Sequence, residues 1–285
     1  MLAAATLWGT TGTAQALGPD GISPATVSVV RMAGGATLLL YAAIARRTTP
    51  LRSLWGWPLV AAIAAMAASQ PLFFSGVART GVAVGTIVTI GSSPILASLL
   101  AWMVRGERVG PRWVVATAMS VGGAVLLVSG GEAGGVDATG VVYNLGAGVA
   151  WAVYLTAAKS LLDRHPPVFV AAVVFTASAV ILAPGLLVDD PGWIWTARGL
   201  LVAAWLALVA TAGSYILFVH GLRGTSVAAA ATLTLAEPVT AAILGMTVLS
   251  EPTRASTLLG IAVVSAGLFV ISRDRPPEPV PDLSA

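Results

Sequence analysis

Long apolar segments, separated by short connections that carry the charge, constrain this chain more than any other feature of its sequence. A helix needs about 20 mostly apolar residues to cross the hydrocarbon core of a bilayer. Within the apolar segments only Arg31 and Glu237 are charged. Ten segments are predicted to be membrane-spanning helices, at 2–17, 25–45, 57–77, 82–104, 113–129, 139–158, 168–188, 199–219, 226–249 and 256–272.

The composition leads to the same class of protein. The 285 residues are 57% hydrophobic and 9% charged, whereas about a quarter of the residues of a soluble domain are charged. Strands of membrane barrels alternate over about 10 residues, but the segment 199–219 is apolar on every face. The first segment ends in Ala-Gln-Ala like a signal peptide, yet it lacks the basic residues that begin one, so a helix is predicted there too. We therefore expect an all-α membrane protein.

The basic residues predict an orientation. With a cytoplasmic N-terminus, the inward connections and the tail contain eleven Lys or Arg and the outward connections contain three. Because positive residues concentrate on the cytoplasmic side, both termini are predicted to be cytoplasmic, in a bacterial-type inner membrane. The bases are not clustered with aromatic residues as nucleic-acid binding requires. The absence of Cys excludes disulfides and thiol chemistry.

The two halves of the chain match at a constant spacing. At an offset of 144 residues Pro94 matches Pro238, and each proline is followed thirteen residues later by a glutamate, Glu107 or Glu251. At an offset of 143 the first and sixth segments also align. Five segments in each half place the second half in the membrane upside down relative to the first.

The sequence therefore predicts ten transmembrane helices as two inverted five-helix repeats. The repeats occupy 1–130 and 138–273, and a disordered cytoplasmic tail occupies 274–285. Inverted repeats are common in secondary transporters, whose substrate site lies near the middle of the bilayer between the halves.

Three parts of the chain resemble the EamA-type family of the drug/metabolite transporter superfamily. They are 7-LWGTTGTAQ-15, Arg31 early in the second segment, and 236–272, where Glu-Pro precedes small residues, a second Glu and two Gly. The resemblance covers nearly the whole chain, in two copies. It implies a ten-helix inner-membrane carrier with a central cavity that moves amino acids, other metabolites or drugs, often outward. Ser93 stands in the first half where the second half has Glu237, so any carboxylate chemistry is one-sided.

Glu237 and Arg31 are candidates for charge pairing or coupling. A charge at mid-bilayer costs about 2.5–3.5 kcal/mol on insertion scales, so it is expected to be paired, neutral or next to a cavity. Glu237 either binds an ammonium group or exchanges a proton during transport, or it is a structural partner of Arg31 or of freed backbone groups. Arg31 either neutralises such groups or attracts an anionic part of the substrate.

Pro94 and Pro238 are predicted helix breaks. Each removes an amide donor, which leaves the carbonyl of Ile90 or Thr234 without its helical partner. Matching kinks in the two halves favour a midplane substrate site with exposed carbonyls, while the alternative is a kink that serves packing alone. The hydroxyls of Ser93 and Thr234 beside these kinks are candidate substrate contacts.

Aromatic and polar side chains of other segments complete the candidate substrate contacts. Trp8 and Trp151, at matched positions of the two halves, are predicted to form walls of a cavity. Aromatic residues of membrane helices also serve packing or interface anchoring, and that alternative stays open for each of them. The other candidates are Gln70, Phe73, Tyr154 and Tyr215.

Together these features predict a secondary transporter, an exporter of small metabolites (amino acids, related amines or carboxylates, or drugs) by alternating access. The expected partners are the lipid bilayer and a small-molecule substrate, and neither a cofactor nor a metal is predicted. The alternative is a non-transporting membrane structural or receptor protein. A membrane-embedded enzyme fits less well, because His165 and His220 are isolated and catalysis needs a cluster of acid, base, nucleophile or metal ligands.

Overall fold

The computed structural model describes residues 1–45, 51–128, 137–187 and 190–273. Within these ranges the chain is helical and contains no β-strand, which confirms the all-α prediction for the described residues. The segment 274–285, predicted to be a disordered tail, lies outside them.

The helices follow one another with short connections. The α-helices are α1 (Leu2–Ala16), α2 (Pro24–Ala45), α3 (Trp57–Arg105), α4 (Pro111–Val128), α5 (Ala138–Leu162), α6 (Pro167–Leu182), α7 (Ala197–Ala204), α8 (Ser214–Arg223), α9 (Val227–Leu233), α10 (Ala236–Val248) and α11 (Ala255–Ser272). A π-helical turn, Trp205–Gly213, joins α7 to α8. Short 3-10 turns occupy Leu51–Leu54, Ala183–Leu187 and Gly192–Trp195.

Glycine and proline mark the helix ends. Gly81 interrupts α3 with φ 80° and ψ 158°, a conformation open to glycine, and divides it into two arms. Gly106 ends the second arm in the left-handed conformation, with φ 67°. Pro111 and Pro167 begin α4 and α6, where the first turn tolerates a missing amide donor.

Seven helical stretches in the described residues are long and apolar enough to cross a membrane. They are Trp57–Gly81, Val84–Arg105, Ala138–Leu162, Pro167–Leu187, Ala197–Arg223, Val227–Val248 and Ala255–Ser272. The predicted segment 2–17 corresponds to α1, whose 15 residues extend about 22 Å at 1.5 Å per residue. The protein is therefore a multi-pass helical membrane protein, while ten spans in two inverted repeats stay a prediction.

Helices distant in sequence pack against one another. α4 lies along α11, α2 along α6, α1 along α10, and α5 against both arms of α3. Tyr154, Phe175 and Phe218 are among the largest fully buried side chains of the core that these helices share.

Candidate functional site

Arg31 and Glu237 lie in the interior of the bundle, on α2 and α10, and both remain partly exposed. Their charges are close enough to interact through space, and the Tyr215 hydroxyl lies in the same electrostatic range. Arg31 Nε donates to Thr211 Oγ1 over 3.4 Å, a long hydrogen bond. Both charged residues are described, yet no ion-pair contact joins them. The structure thus brings two opposite charges into one region without a direct bond between them.

The backbone around Glu237 explains how the chain accommodates this carboxylate. α9 ends at Leu233 and α10 begins at Ala236, so Glu237 lies in the first turn of a helix in the middle of a span. The amide groups of a helix N-terminus carry partial positive charge and stabilise a nearby anion. The carboxylate therefore has local electrostatic support in addition to Arg31.

The structure places the interruption of the helix at Thr234 and Leu235, just before α10 begins, rather than at Pro238. The Glu237 amide donates to the Thr234 carbonyl over 3.0 Å. The prediction that the Thr234 carbonyl lacks a partner is therefore wrong, because the Glu237 amide supplies, in a three-residue turn, the donor that Pro238 lacks. The Thr234 hydroxyl is also engaged, since it donates to the Ala231 carbonyl over 2.7 Å.

Around Pro94 the helix is continuous, so the break predicted there is not seen in the described part of α3. Ser93 is buried, and its hydroxyl donates to the Thr89 carbonyl over 2.6 Å. The neighbouring Ser92 hydroxyl donates to the same carbonyl over 3.2 Å. These hydroxyls satisfy local backbone groups and are not directed to a free space.

Four of the predicted aromatic contacts form one cluster. Trp8 lies 5.7 Å from Trp151 and 5.0 Å from Tyr215 between ring centroids, and Trp151 lies 5.3 Å from Tyr154. The Trp8 indole N–H donates to Ser214 Oγ over 2.8 Å. Trp8, Tyr154 and Tyr215 are buried, at 5%, 1% and 5% exposure. The cluster is therefore a packed wall beside the charges, and its rings are accessible to a ligand only if helices move.

Gln70 and Phe73 lie apart from this cluster. Both are partly buried on the first arm of α3. Phe73 packs against Phe74, with ring centroids 5.4 Å apart, and within the described residues it has no ring contact with the four clustered aromatics.

Two features of the site were missed by sequence reasoning. Thr211, the hydrogen-bond partner of Arg31, lies in the π-helical turn, and its hydroxyl donates to the Leu206 carbonyl five residues earlier over 2.7 Å. π-helical turns are rare in proteins, but those that occur are often found at functional sites. No residue pattern in the sequence predicts one. Phe218 completes the aromatic cluster, 5.1 Å from Trp8. Its spacing of three residues from Tyr215 on one helix was the available signal.

The chemistry of the site is electrostatic. No group of three His, Cys, Asp or Glu that could hold a metal occurs in the ranges that the structure describes. A guanidinium and a carboxylate on different helices lie near a hydroxyl and aromatic rings in the interior of a helical bundle. Ionisable residues inside a multi-pass helical membrane protein commonly mark the path of a polar solute, so these features are those expected of a membrane transporter.

The chain belongs to the EamA-like transporter family, whose model matches residues 1–129 and 138–273. It is 42% identical over 273 residues, 95% of this chain and 92% of the relative, to the uncharacterized transporter YwfM of Bacillus subtilis (strain 168). It is 32% identical over 154 residues to the threonine/homoserine exporter RhtA of Salmonella typhimurium (strain SL1344), a match to 54% of this chain and 49% of that protein.

A solved crystal structure has the same overall fold as the chain. It has a TM-score of 0.81 at 21% sequence identity and covers 94% of this chain and 93% of the other. This likeness shows a shared fold. The family match confirms the resemblance on which the sequence analysis relied.

Proposed function

We propose that the protein is a secondary transporter that exports small metabolites carrying both an ammonium and a carboxylate group, by alternating access. The observation that carries the proposal is the pair Arg31 and Glu237, two opposite interior charges without a direct bond to each other. A zwitterion bound between them supplies each charge with a partner. Removing charged groups from water is unfavourable unless they are paired and hydrogen-bonded. Binding of such a solute is therefore favourable, because it pairs both interior charges.

The class of solute agrees with one relative. The Salmonella protein is named a threonine/homoserine exporter, and both of these compounds are amino acids. The matched part is about half of each protein. An amino acid or a related compound is therefore the substrate that we propose to test first.

We also propose ten spans in two inverted repeats, and the contact between α4 and α11 supports this arrangement. A Cβ atom at Gly267 would lie 2.8 Å from the Ala116 carbonyl oxygen, and one at Gly123 would lie 3.0 Å from the Gly260 carbonyl oxygen. Gly123 and Gly267 are 144 residues apart, as are Ala116 and Gly260. The same contact therefore occurs twice with its partners exchanged, as a two-fold axis requires.

The proposed membrane is a bacterial-type inner membrane, with both termini in the cytoplasm. The excess of Lys and Arg on one set of connections supports this orientation. The two family-model matches support halves close to 1–130 and 138–273.

Thermal stability of the purified protein in detergent tests the binding site. We would compare an α-amino acid with its methyl ester, which lacks the carboxylate, and its N-acetyl derivative, which lacks the ammonium. A ligand at a hundred times its dissociation constant stabilises the folded state by about 2.7 kcal/mol. We expect stabilisation by the amino acid only, and its loss in Arg31→Gln and Glu237→Gln. Asp20→Asn and Arg254→Gln remove exposed charges and serve as controls.

Counterflow in proteoliposomes then separates a transporter from a receptor. Proteoliposomes that contain the protein and are loaded with unlabelled amino acid should accumulate the labelled compound from outside. The rate of this uptake should saturate as the external concentration rises. Stabilisation without counterflow would contradict transport and support the receptor alternative. Equal stabilisation by the ester or the N-acetyl compound would contradict recognition of a zwitterion.

A further inference from the structure

A network of charged side chains joins helix ends at one end of the bundle, where α3 ends, α5 ends and α9 begins. We call it the ionic network, and its members are Arg105, Glu107, Lys159 and Asp163. Arg105 Nε donates to Glu107 Oε1 over 2.8 Å, and Arg105 Nη2 donates to Asp163 Oδ2 over 2.9 Å. Lys159 Nζ lies 3.6 Å from Asp163 Oδ1. All three guanidinium nitrogens are used, because Nη1 donates to Ser160 Oγ over 3.0 Å.

The ionic network also holds backbone groups at the connection between α8 and α9. Lys159 Nζ donates to the carbonyls of Leu222, over 3.1 Å, and Arg223. Glu107 Oε2 accepts a hydrogen bond from the Val227 amide over 2.9 Å. The two carbonyls lie at the C-terminus of α8, where a cation is favourable, and the amide lies at the N-terminus of α9, where an anion is favourable.

The hydrogen bonds of the ionic network cross between the two proposed halves. Arg105 and Glu107 belong to the first half, whereas Ser160, Asp163 and Val227 belong to the second. Three hydrogen bonds therefore join the halves directly at this end. Any motion that separates the halves here must break them together.

The opposite end has no equivalent network at the matching positions. At offsets of 143 and 144 residues, Asp20 and Glu251 take the places of Asp163 and Glu107, whereas Ala16 and Leu249 take those of Lys159 and Arg105. The acids are retained and both cations are missing.

The opposite end has one ion pair in the described residues, Arg79–Asp137, at 3.5 Å with side chains 50% and 38% exposed. Hydrogen bonds between neutral side chains also join the halves there, from Trp193 Nε1 to Thr26 Oγ1 over 2.8 Å and from Asn144 Nδ2 to Thr80 Oγ1 over 3.0 Å.

In the ionic network Arg105, Glu107 and Lys159 are 18%, 15% and 11% exposed, whereas Asp163 is 40% exposed. Ion pairs that are exposed to solvent contribute little. Both ends contain a cavity. The one at the opposite end, about 450 Å³, lies between α1, α7, the π-helical turn and α10 and is lined by Ala14 and Arg198 among others. The one beside the ionic network, about 420 Å³, is lined by Arg105, Ser160 and Asp163 among others.

We infer that the ionic network is a latch that keeps this end of the transporter closed and biases the resting protein against opening here. The inference rests on the proposed alternating access. On the predicted orientation the latched end is cytoplasmic, and an exporter with this bias returns to its inward-facing state only when the latch opens.

Cysteine labelling tests the latch, because the chain has no native Cys and an introduced one reacts without background. Ala101→Cys places a thiol at a fully buried position one turn from Arg105. Ala14→Cys places one in the cavity at the opposite end. Each is combined with Asp163→Asn, which removes the carboxylate shared by Arg105 and Lys159. The rates of reaction of the purified protein with a charged, water-soluble maleimide are then compared.

We expect Asp163→Asn to raise the labelling rate at position 101 and lower it at position 14. Their ratio should change about fivefold, as expected for the loss of the partly exposed ion pairs that Asp163 makes with Arg105 and Lys159. Glu107→Gln should act in the same direction and covers the case in which Asp163→Asn does not fold. Asp20→Asn, the matched acid of the opposite end, is the control and should leave the ratio unchanged.

A purely structural role gives a different result. If the network only secures local helix ends, labelling at position 101 rises while labelling at position 14 is unchanged, and the latch is overturned. Unchanged rates at both positions also overturn it. The experiment needs no substrate, so a failed latch leaves the proposed transport intact, and a failed counterflow experiment leaves the labelling result to be judged by itself.

Discussion

The helix segments around Glu237 and around Ser93 occupy matching positions of the two proposed halves and differ in both backbone and charge. The first has an interruption at Thr234 and Leu235 that places Glu237 in the first turn of α10. The second is a continuous helix in which Ser93 satisfies the backbone locally. A carboxylate at mid-span is thus found where the backbone supplies a helix N-terminus, and a hydroxyl is found where it does not. At this matched pair of positions the charged group is in the second half, and the first half has a hydroxyl that is bonded to its own backbone.

The largest expected effect concerns the contact that positions Glu237. A Cβ atom at Gly9 of α1 would lie 2.6 Å from the Glu237 carbonyl oxygen and 3.1 Å from the Ala241 amide nitrogen. Because these neighbours are backbone atoms, they cannot rotate away. Gly9→Val should therefore destabilise the protein by about 3 kcal/mol, measured by thermal unfolding in detergent.

Gly12→Val is the matched control, because Gly12 lies on the same helix with nothing within 4 Å of its Cβ position. It should unfold close to the wild-type temperature. Equal destabilisation by both substitutions would show that the effect comes from the helix itself and not from the contact with α10.

The second effect concerns ligand affinity. A hydrogen bond to a charged group contributes about 1.5–3 kcal/mol, so Glu237→Gln should weaken binding of an amino-acid ligand at least about tenfold. Ser93→Ala should change it less than about twofold, since the Ser93 hydroxyl is engaged by Thr89. Isothermal titration of both variants measures this difference. Comparable losses of affinity in the two variants would contradict the proposed difference between the segments around Glu237 and Ser93.

The sequence was sufficient to predict the class of fold and the importance of the charges. Charge segregation predicted a helical membrane protein, because a charge within the bilayer is unfavourable wherever it occurs. Arg31 and Glu237 were identified for the same reason, and the structure places them in one region. Matched Trp8 and Trp151 predicted aromatic neighbours, and their rings are in contact.

The backbone details could not be predicted from residue types. Pro238 indicated an irregular helix, but the position of the interruption depends on which carbonyl finds another donor, here Thr234 with the Glu237 amide. The sequence places Glu107 shortly before the helix that begins at Pro111, which favours a role at that helix N-terminus. Its carboxylate instead binds Arg105 and the amide of Val227, 120 residues away. Such pairings depend on tertiary packing, which no local pattern contains.

The third prediction concerns the contact between α4 and α11, where the two halves should be equivalent. Cβ atoms at Gly123 and Gly267 would each meet backbone atoms of the facing helix at 3.0 Å or less. Gly123→Ala and Gly267→Ala should therefore each destabilise by about 1–3 kcal/mol, and by similar amounts. Thermal unfolding checks both, with Gly122→Ala as a control that has nothing within 4 Å. A large effect in only one of the pair would argue against a two-fold relation.

The smallest effect distinguishes the two prolines. Pro94 lies inside a continuous helix and removes a donor to the Ile90 carbonyl, so Pro94→Ala should restore a hydrogen bond worth about 1 kcal/mol and raise the unfolding temperature slightly. Pro238 lies in the first turn of α10, where an amide needs no helical partner and the Thr234 carbonyl already accepts from Glu237. Pro238→Ala should leave the unfolding temperature unchanged within about 0.5 kcal/mol. If Pro238→Ala proved the more stabilising, the Thr234 carbonyl would be short of a donor after all, and the turn before Glu237 would be maintained by the proline and not by its own hydrogen bond.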